Sequence, residues 1–360
     1  MTTVLVTGAG GPLGVNLTRS LRDAPETLRL IGTDANRWHL PLSICDETYL
    51  IPYARDAKGY ESAMRDIVAT EQVDVIIPTH PVEVRAMAGL RDAHALDVGM
   101  VLPRTGVIEL ADSKALTYEQ LRAADVPVPE TMLLTDASDV ERAFAQLKRG
   151  DEPVWIRGAG TPGSGIGGAA LPCRSTTVAC AWIEHYNGWG QMAASEYLPG
   201  ANLSWMALFN HGELLAAGCR ERLEYVLPHI APSGITGAPA VSRTVDRSDV
   251  AAVGARAVAA IDDAPHGVYF VDLKEDSAGG ARVTEINAGR CGTTVRAYVE
   301  AGCNFPWLLA QLARGDDVAA PADPLAAVEV DVYWVRTLDC GPVALRGESG
   351  FDAYPKRGVD

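Results

Sequence analysis

Residues 267–294 read GVYFVDLKEDSAGGARVTEINAGRCGTT, and the two apolar runs in this stretch predict a β-hairpin. The polar, glycine-containing segment 277–280 is typical of a turn between two strands. Glu285 and Asn287 are two residues apart in the second strand, so their side chains lie on the same face. Asp272 lies opposite them if the strands pair through this turn. The stretch therefore predicts two carboxylates and an amide oxygen on one face of a sheet.

This set of oxygen atoms predicts a site for a divalent cation. Mg²⁺ prefers carboxylate, amide and phosphate oxygens, so Asp272, Glu285 and Asn287 are the predicted metal ligands. Arg290 follows directly and is a fixed cation suited to a phosphate or an acyl-phosphate. The alternative is a solvated hairpin with incidental acids, but the apolar residues that alternate with these side chains favour packed strands.

The first 105 residues alternate apolar runs with helical stretches, which predicts a parallel sheet covered on both faces. The candidate strands are VLVTG, RLIGTD, ETYLIP, VDVIIPTH and GMVLPR. Ligands of such sheets bind at the carboxyl ends of the strands. Those ends carry the glycine turn 7–14, Asp34 with Asn36, and Glu83.

The turn TGAGGPLG at residues 7–14 is also typical of short-chain dehydrogenases, whose glycines let a pyrophosphate approach a helix N-terminus. Such an enzyme needs a tyrosine with a lysine four residues later, because the lysine lowers the pKa of the tyrosine that acts as acid or base. None of the 11 tyrosines has that lysine, and the nearest case is Tyr118 followed by Arg122. An NAD(P)-dependent dehydrogenase therefore stays an alternative that lacks its catalytic pair.

The composition excludes several classes of function. The chain has 31 Lys and Arg against 46 Asp and Glu, a net charge of −15, which argues against a nucleic-acid partner. No run of about 18 apolar residues predicts a membrane span, and the N-terminus does not resemble a secretory signal. The seven cysteines form no C-x-x-C pair, which predicts reduced packing thiols in a cytoplasmic protein.

The hairpin resembles the metal-binding strands of the ATP-grasp superfamily, in particular its carbamoyl-phosphate-synthase-like branch. Other stretches resemble further parts of that fold in the right order. DSKALTYEQLRAADVPVPET (112–131) is similar to its entry helix, PVWIRGAGTPGSGIGGA (153–169) to its strand and glycine loop, and SEYLPG (195–200) to its hinge. Residues 287–315 are similar to its closing segment.

The resemblance implies an α/β protein with two folded parts. A Rossmann-like parallel sheet, the pre-ATP-grasp domain, is expected over residues 1–110. An α+β ATP-grasp fold is expected over 111–315, with a mobile glycine-loop lid subdomain at about 128–194. Residues 316–360 are then a strand-containing tail that packs on the core.

The resemblance also implies ATP and Mg²⁺ as cofactors, with Mn²⁺ as a substitute. Two cations would neutralise phosphates, the glycine loop would cover the triphosphate with N–H groups, and the hinge would hold adenine. The implied nucleotide-binding residues are Lys114, Arg157, Gly163, Ser164, Gly165, Glu196, Tyr197, Leu198 and Asn202. Asn202 departs from the family, which commonly has an acid for the ribose there, and an amide binds a hydroxyl more weakly than a carboxylate does.

In this family a carboxylate takes the γ-phosphoryl group and an amine attacks the resulting acyl-phosphate. We therefore expect an ATP-dependent carboxylate–amine ligase that releases ADP and phosphate. Its substrates are expected to be small and amino-acid-like, and a homodimer is the default assembly. The predicted wall of the acceptor pocket is segment 219–239, because arginines bind carboxylates bidentately. Its candidate groups are Arg220, Arg222, His229, Ser233 and Thr236. The candidate catalytic residues are Arg220, Arg222, His229 and Arg290.

Two other functions stay open. Carbamoyl-phosphate-synthase-like phosphorylation of a small carboxylate or carbamate uses the same site, but a full synthase needs a second ATP-grasp half that this chain lacks. A non-catalytic nucleotide-binding module would not need the complete set Asp272, Glu285 and Asn287.

Overall fold

The structure is a computed structural model that describes residues 1–160, 169–318 and 321–338. Within these residues the chain forms one parallel and two antiparallel sheets, which confirms the predicted α/β class. The predicted loop residues Gly163, Ser164 and Gly165 lie outside the described residues. In the part of the chain that is described, no helix is both long and apolar enough to cross a membrane.

The N-terminal part contains the parallel sheet. Its elements are β1 (Thr3–Thr7), α1 (Pro12–Arg22), β2 (Arg29–Asp34), β3 (Glu47–Leu50), α2 (Ala57–Glu71), β4 (Val75–Ile77), α3 (Pro81–Asp92), α4 (Thr105–Asp112) and α5 (Lys114–Ala123). The strand order is β3–β2–β1–β4. Strand β1 is a continuous buried run, TVLVT, as expected for a strand covered on both faces.

One local prediction for this part needs correction. The expected fifth strand, GMVLPR, contributes only an isolated bridge between Gly99 and Val75, and Pro103 cannot donate to a ladder. Helix α5 begins at Lys114, because Ser113 caps it by accepting a hydrogen bond from the Leu116 N–H at 3.4 Å. Asp112 is the last residue of α4.

The second sheet is antiparallel and has a core of its own. Its elements are β5 (Thr131–Leu134), α6 (Ala137–Leu147), β6 (Val154–Gly158), β7 (Leu171–Cys173), α7 (Thr176–His185) and β8 (Met192–Ser195), with the strand order β5–β8–β6–β7. Its core includes Val140, Ile156, Ile183 and Met192. This unit therefore packs largely on itself.

The third sheet is antiparallel and contains the predicted hairpin. Its elements, with the helices around it, are β9 (Asn202–Asn210), β10 (Glu213–Tyr225), β11 (Pro239–Val245), α8 (Ser248–Ile261), β12 (Gly267–Glu275), β13 (Ala281–Ala288), α9 (Arg296–Glu300), α10 (Phe305–Arg314) and β14 (Tyr333–Val335). The strand order is β13–β12–β9–β10–β11–β14. Pairing of β12 with β13 places Asp272 directly opposite Glu285, so the hairpin prediction is confirmed.

The two faces of this sheet differ in polarity. One face carries buried residues such as Trp205, Tyr269 and Val271, which belong to the cluster that includes Val250 and Val258 of α8. The opposite face is apolar at one end, where Met206 and Phe270 are buried, and polar at the other. The polar end contains the predicted metal ligands and therefore defines the candidate site.

Candidate active site

The polar end of the large sheet is built from rows of side chains on neighbouring strands. Asp272 pairs with Glu285 on β13 and with Ser204 on β9, and Ser204 pairs with Arg220 on β10. Residues directly opposite in antiparallel strands lie on the same face. The next row of this face holds Lys274, Asn202 and Arg222. Acidic and basic groups are thus interleaved on one surface.

Each predicted metal ligand contacts a cation from a different element. Lys114 Nζ, at the start of α5, lies 3.0 Å from Glu285 Oε2. Arg222 on β10 donates to Asp272, and Arg290, just after β13, donates to Asn287 Oδ1. Asn287 Nδ2 lies 3.5 Å from Asp272 Oδ2. These contacts, with the pairing of Asp272 and Glu285, bring together six of the side chains that the sequence singled out: Lys114, Arg222, Asp272, Glu285, Asn287 and Arg290.

The cations keep the acidic groups ionised. Burial raises the pKa of Glu285, and the nearby Lys114, Arg290 and Arg157 lower it. Together the three cations have the larger effect, so the pKa lies below its usual value. Glu285 is therefore a carboxylate at neutral pH, as a metal ligand must be.

Arg157 and Lys114 approach this site from the second sheet and from α5. Arg157, in β6, donates to the hydroxyl of Tyr118, and Tyr118 donates to the carbonyl of Thr284 at 3.0 Å. A Cβ added to Gly160 would lie 2.7 Å from Lys114 Cγ, so the start of the glycine segment packs on the lysine side chain. Two cations therefore lie beside Glu285 where the second sheet meets the third.

The oxygen set fits Mg²⁺ held together with phosphate oxygens. Among the described residues, no group of three or more His, Cys, Asp and Glu side chains could hold a metal alone. Two carboxylates and one amide oxygen are fewer ligands than an octahedral Mg²⁺ takes, and nucleotide phosphates commonly supply others. The site therefore fits a metal that arrives with a nucleotide.

The hinge residues contact both antiparallel sheets. Glu196 Oε1 accepts a hydrogen bond from the Glu130 N–H at 3.0 Å and lies 3.6 Å from Arg282 Nε. This carboxylate therefore connects the residue before β5 of the second sheet with β13 of the third sheet. Leu198 is buried. The centre of the Tyr197 ring lies 6.3 Å from the centre of the Trp155 ring. Tyr197 also lines a cavity of about 420 Å³, and none of the predicted phosphate-binding or metal-binding residues that the structure describes lines that cavity.

Part of the predicted acceptor wall is not brought to the site. His229 lies in an exposed 3₁₀ turn. Ser233 and Thr236 bond within their own loop, Thr236 by donating to the Val226 carbonyl at 2.8 Å. Arg220 is placed differently, since it is 1% exposed and donates to the carbonyl of Thr294 at 3.1 Å. The arginines of this segment thus belong to the site face, whereas His229 belongs to the surface.

Three residues at the site were missed from the sequence, and two of them had a signal. Tyr118 is four residues after Lys114, which places both on one helix face. Lys274 is two residues after Asp272 in the same strand, and its Nζ donates to the Gly200 carbonyl at 2.8 Å. Asp112 lies 3.1 Å from Arg85 and within the electrostatic reach of Lys114. Nothing local in the sequence distinguishes Asp112 from a helix cap.

The buried cysteines do not take part in this chemistry. Burial raises the pKa of Cys173, Cys219, Cys291 and Cys303 to about 12, so their thiols are not ionised at neutral pH. These four are free cysteines, in agreement with the predicted packing role.

The glycine turn of the first sheet is explained by close packing. A Cβ on Gly10 would lie 1.9 Å from the His39 carbonyl oxygen, and one on Gly14 would lie 2.2 Å from the Gly8 carbonyl oxygen. Asp34, where a dehydrogenase would bind ribose, is 5% exposed and accepts the N–H groups of Gly10 and Asn36. Contacts within the protein therefore explain these glycines and Asp34, and no bound dinucleotide is needed to explain them.

The carboxyl edge of the first sheet faces the polar end of the third. A Cβ on Gly289 would lie 2.8 Å from Val84 of α3. Burial and the charge of Arg290 lower the pKa of His80, which caps α3. Behind this edge Glu83 is buried and accepts hydrogen bonds from Thr7 at 2.9 Å and Tyr60 at 3.2 Å.

Glu83 makes stability depend on pH. Burial raises its pKa from 4.5 to about 7, although the bonds from Thr7 and Tyr60 oppose the rise. Between these values the folded protein keeps a proton that the unfolded chain has lost. The free energy of unfolding therefore falls by roughly 3 kcal/mol as the pH rises from about 4.5 to 7. We expect Glu83→Gln to remove this contribution in urea unfolding at pH 5 and pH 8.

The exposed Glu109→Gln on α4 is the matched control and should retain the wild-type difference between the two pH values. If Glu83→Gln retained it as well, the protonated, buried state of Glu83 would be contradicted.

Comparisons with known proteins agree at the level of the fold. No protein-family model matches the sequence, and no curated protein sequence matches it. The biotin carboxylase domain of Hydrogenobacter thermophilus 2-oxoglutarate carboxylase, solved with MgADP and bicarbonate, matches with a TM-score of 0.65 and 16% identity, over 92% of this chain and 73% of that one.

Two further solved structures show the same likeness. Carboxyaminoimidazole ribonucleotide synthase from Aspergillus clavatus, solved with ATP, has a TM-score of 0.63 and 16% identity over 91% of this chain and 79% of its own. The L-amino acid ligase from Bacillus licheniformis has a TM-score of 0.59 and 15% identity over 87% and 74%. All three proteins are ATP-grasp enzymes. At these identities the likeness concerns the fold, and the chain has the ATP-grasp fold.

Proposed function

We propose that this chain is an ATP-dependent carboxylate–amine ligase that forms an amide or peptide bond. One observation carries the proposal. Two carboxylates and an amide on one sheet face are each engaged by a cation from a different element, and Arg157 lies beside them. The three solved enzymes named above have the same fold, and two of them were solved with adenine nucleotides.

The cations would act on the nucleotide. Lys114 and Arg157 would neutralise phosphate charge that builds up as the γ-phosphoryl group moves. Asp272, Glu285 and Asn287 would hold Mg²⁺, which offsets charge on the phosphate oxygens when bound. Lys114 would have to leave Glu285 for a phosphate, a short movement for a flexible side chain.

The proposed reaction has two steps. A carboxylate oxygen of the first substrate takes the γ-phosphoryl group, and ADP leaves. The amine nitrogen of the second substrate then attacks the acyl carbon, the bond from that carbon to the phosphate oxygen breaks, and the amine loses one proton. Arg290 would hold the acyl-phosphate because it is a fixed cation next to Asn287. We place the acceptor pocket between the carboxyl edge of the first sheet and this face.

Arg157→Met is expected to weaken MgADP binding by about 10- to 100-fold, the usual effect of losing a hydrogen bond to a charged group. Arg142→Met is the matched control, because Arg142 is an exposed arginine on α6 of the same unit and should leave the affinity within twofold. Isothermal titration of both variants with MgADP measures the effect. Equal affinities of the two variants would move the phosphate site away from Arg157.

The reaction type is tested by trapping. Hydroxylamine converts an acyl-phosphate to a hydroxamate, so a panel of carboxylic acids with MgATP and hydroxylamine should give ADP and a coloured iron–hydroxamate complex for the true substrate. ADP release without hydroxamate would exclude the acyl-phosphate. Binding of NAD⁺ or NADP⁺ in place of MgADP would revive the dehydrogenase alternative.

A further inference from the structure

Four polar hydrogen-bonding groups lie together on the site face, beyond the metal ligands. Arg222 on β10 pairs with Ser242 on β11, and Ser242 pairs with Trp334 on β14. Arg220 is two residues before Arg222 in β10, so its side chain shares this face. We call Arg220, Arg222, Ser242 and Trp334 the β10–β14 donor cluster.

Several polar atoms of the cluster are buried and have no hydrogen-bond partner in the part of the chain that the structure describes. Arg220 Nε, Arg222 Nε, Ser242 Oγ and Trp334 Nε1 are shielded from solvent and have no hydrogen-bond partner among the described residues. Arg220 and Ser242 are each 1% exposed. Buried polar groups in folded proteins are nearly always hydrogen-bonded. Four unsatisfied groups on three adjacent strands therefore indicate a missing acceptor.

The charge of the cluster indicates that this acceptor is an anion. Arg222 contacts Asp272, whereas Arg220 has no ion pair among the described residues. Burial lowers the pKa of Arg220, Tyr298 and Asp272 oppose this effect, and the neighbouring Arg222 and Arg336 add to it. The guanidinium of Arg220 lies over the Tyr298 ring at 5.3 Å and donates to Thr294, which fixes its position. A buried cation without an ion-pair partner is costly, and an anionic ligand would relieve that cost.

The distance from the metal ligands shows what kind of molecule would reach both places. Strand β10 is two strand spacings, about 10 Å, from β12, which carries Asp272. The arginine side chains span part of that distance. A substrate carboxylate next to Asp272, Glu285 and Asn287 could thus be joined, by a chain of a few carbon atoms, to a second anionic group at the β10–β14 donor cluster.

We infer that the β10–β14 donor cluster binds a second carboxylate of the substrate, so that the proposed ligase acts on a four- to six-carbon dicarboxylic acid or acidic amino acid. The planar fork of arginine matches a carboxylate in two hydrogen bonds. The serine hydroxyl and the indole N–H supply further donors. This inference rests on the proposed function and assigns β11 and β14 a part in specificity.

The probes are succinate, glutarate, adipate, aspartate and glutamate, titrated calorimetrically into the whole protein without nucleotide. We expect at least one to bind, and its monoamide to bind at least tenfold more weakly. Trp334→Phe keeps the ring and removes the donor, and Ser242→Ala removes the hydroxyl. Each substitution should weaken the binding of that acid about 10-fold and leave the affinity for MgADP within twofold of the wild-type value.

Tyr333→Phe is the matched control, since Tyr333 lies on the same strand but its exposed side chain is on the other face. Failure of all five acids to bind, or equal effects of Trp334→Phe and Tyr333→Phe, would overturn the inference and indicate that buried water fills the cluster. Failure of MgADP to bind would instead contradict the proposed ligase, whatever the acids do.

Discussion

Glu285→Gln is expected to lower kcat by about 10²- to 10³-fold while the protein stays folded. The substitution keeps the shape of the side chain and removes the negative charge that Lys114 contacts at 3.0 Å. A bound Mg²⁺ would lose one of its two protein carboxylates, and an electrostatic contact of this kind is commonly worth two to three orders of magnitude in rate. ADP release with MgATP and the substrates measures the effect.

The control for this variant is Glu300→Gln on α9. Glu300 forms a partly exposed ion pair with Arg296 at 2.7 Å, and such a pair contributes little to stability. Its loss should leave kcat within twofold. Full turnover by Glu285→Gln, with the melting temperature of the wild type, would remove Glu285 from the metal site.

The sequence predicted those parts of the site that are set by local spacing. Asp272, Glu285 and Asn287 share a face because side chains alternate along a strand, and the turn between the strands is short. Lys114 and Arg157 carry no such local signal. They reach Glu285 from α5 and from the second sheet, so only the resemblance to a known fold pointed to them.

The remaining features depend on pairing between segments far apart in the chain. Ser242 and Trp334 meet because β11 pairs with β14, almost 100 residues later. Segment 219–239 was predicted as one wall, but the structure separates the buried Arg220 from the exposed His229. Both are polar residues near turns, and burial depends on which strand covers each of them.

Gly10→Ala is expected to destabilise the fold by about 1–3 kcal/mol, as overpacking commonly does. The added Cβ would lie 1.9 Å from the His39 carbonyl oxygen and 2.5 Å from its carbon, which are backbone atoms and cannot rotate away. Either the glycine turn or the segment around His39 must move. Thermal and urea unfolding measure the loss of stability.

Gly89→Ala is the matched control in the same part of the chain. Gly89 lies inside α3 and has open space around its Cα, so a methyl group there should stabilise the helix by about 0.5–1 kcal/mol. Opposite signs of the stability change for the two Gly→Ala variants would locate the effect in the packing of the turn.

The folded fraction of Gly10→Ala should bind MgADP as the wild type does, because the turn packs on His39 and is not among the residues assigned to the nucleotide. Unchanged stability together with lost nucleotide binding would mean that the turn at 7–14 contacts the ligand after all.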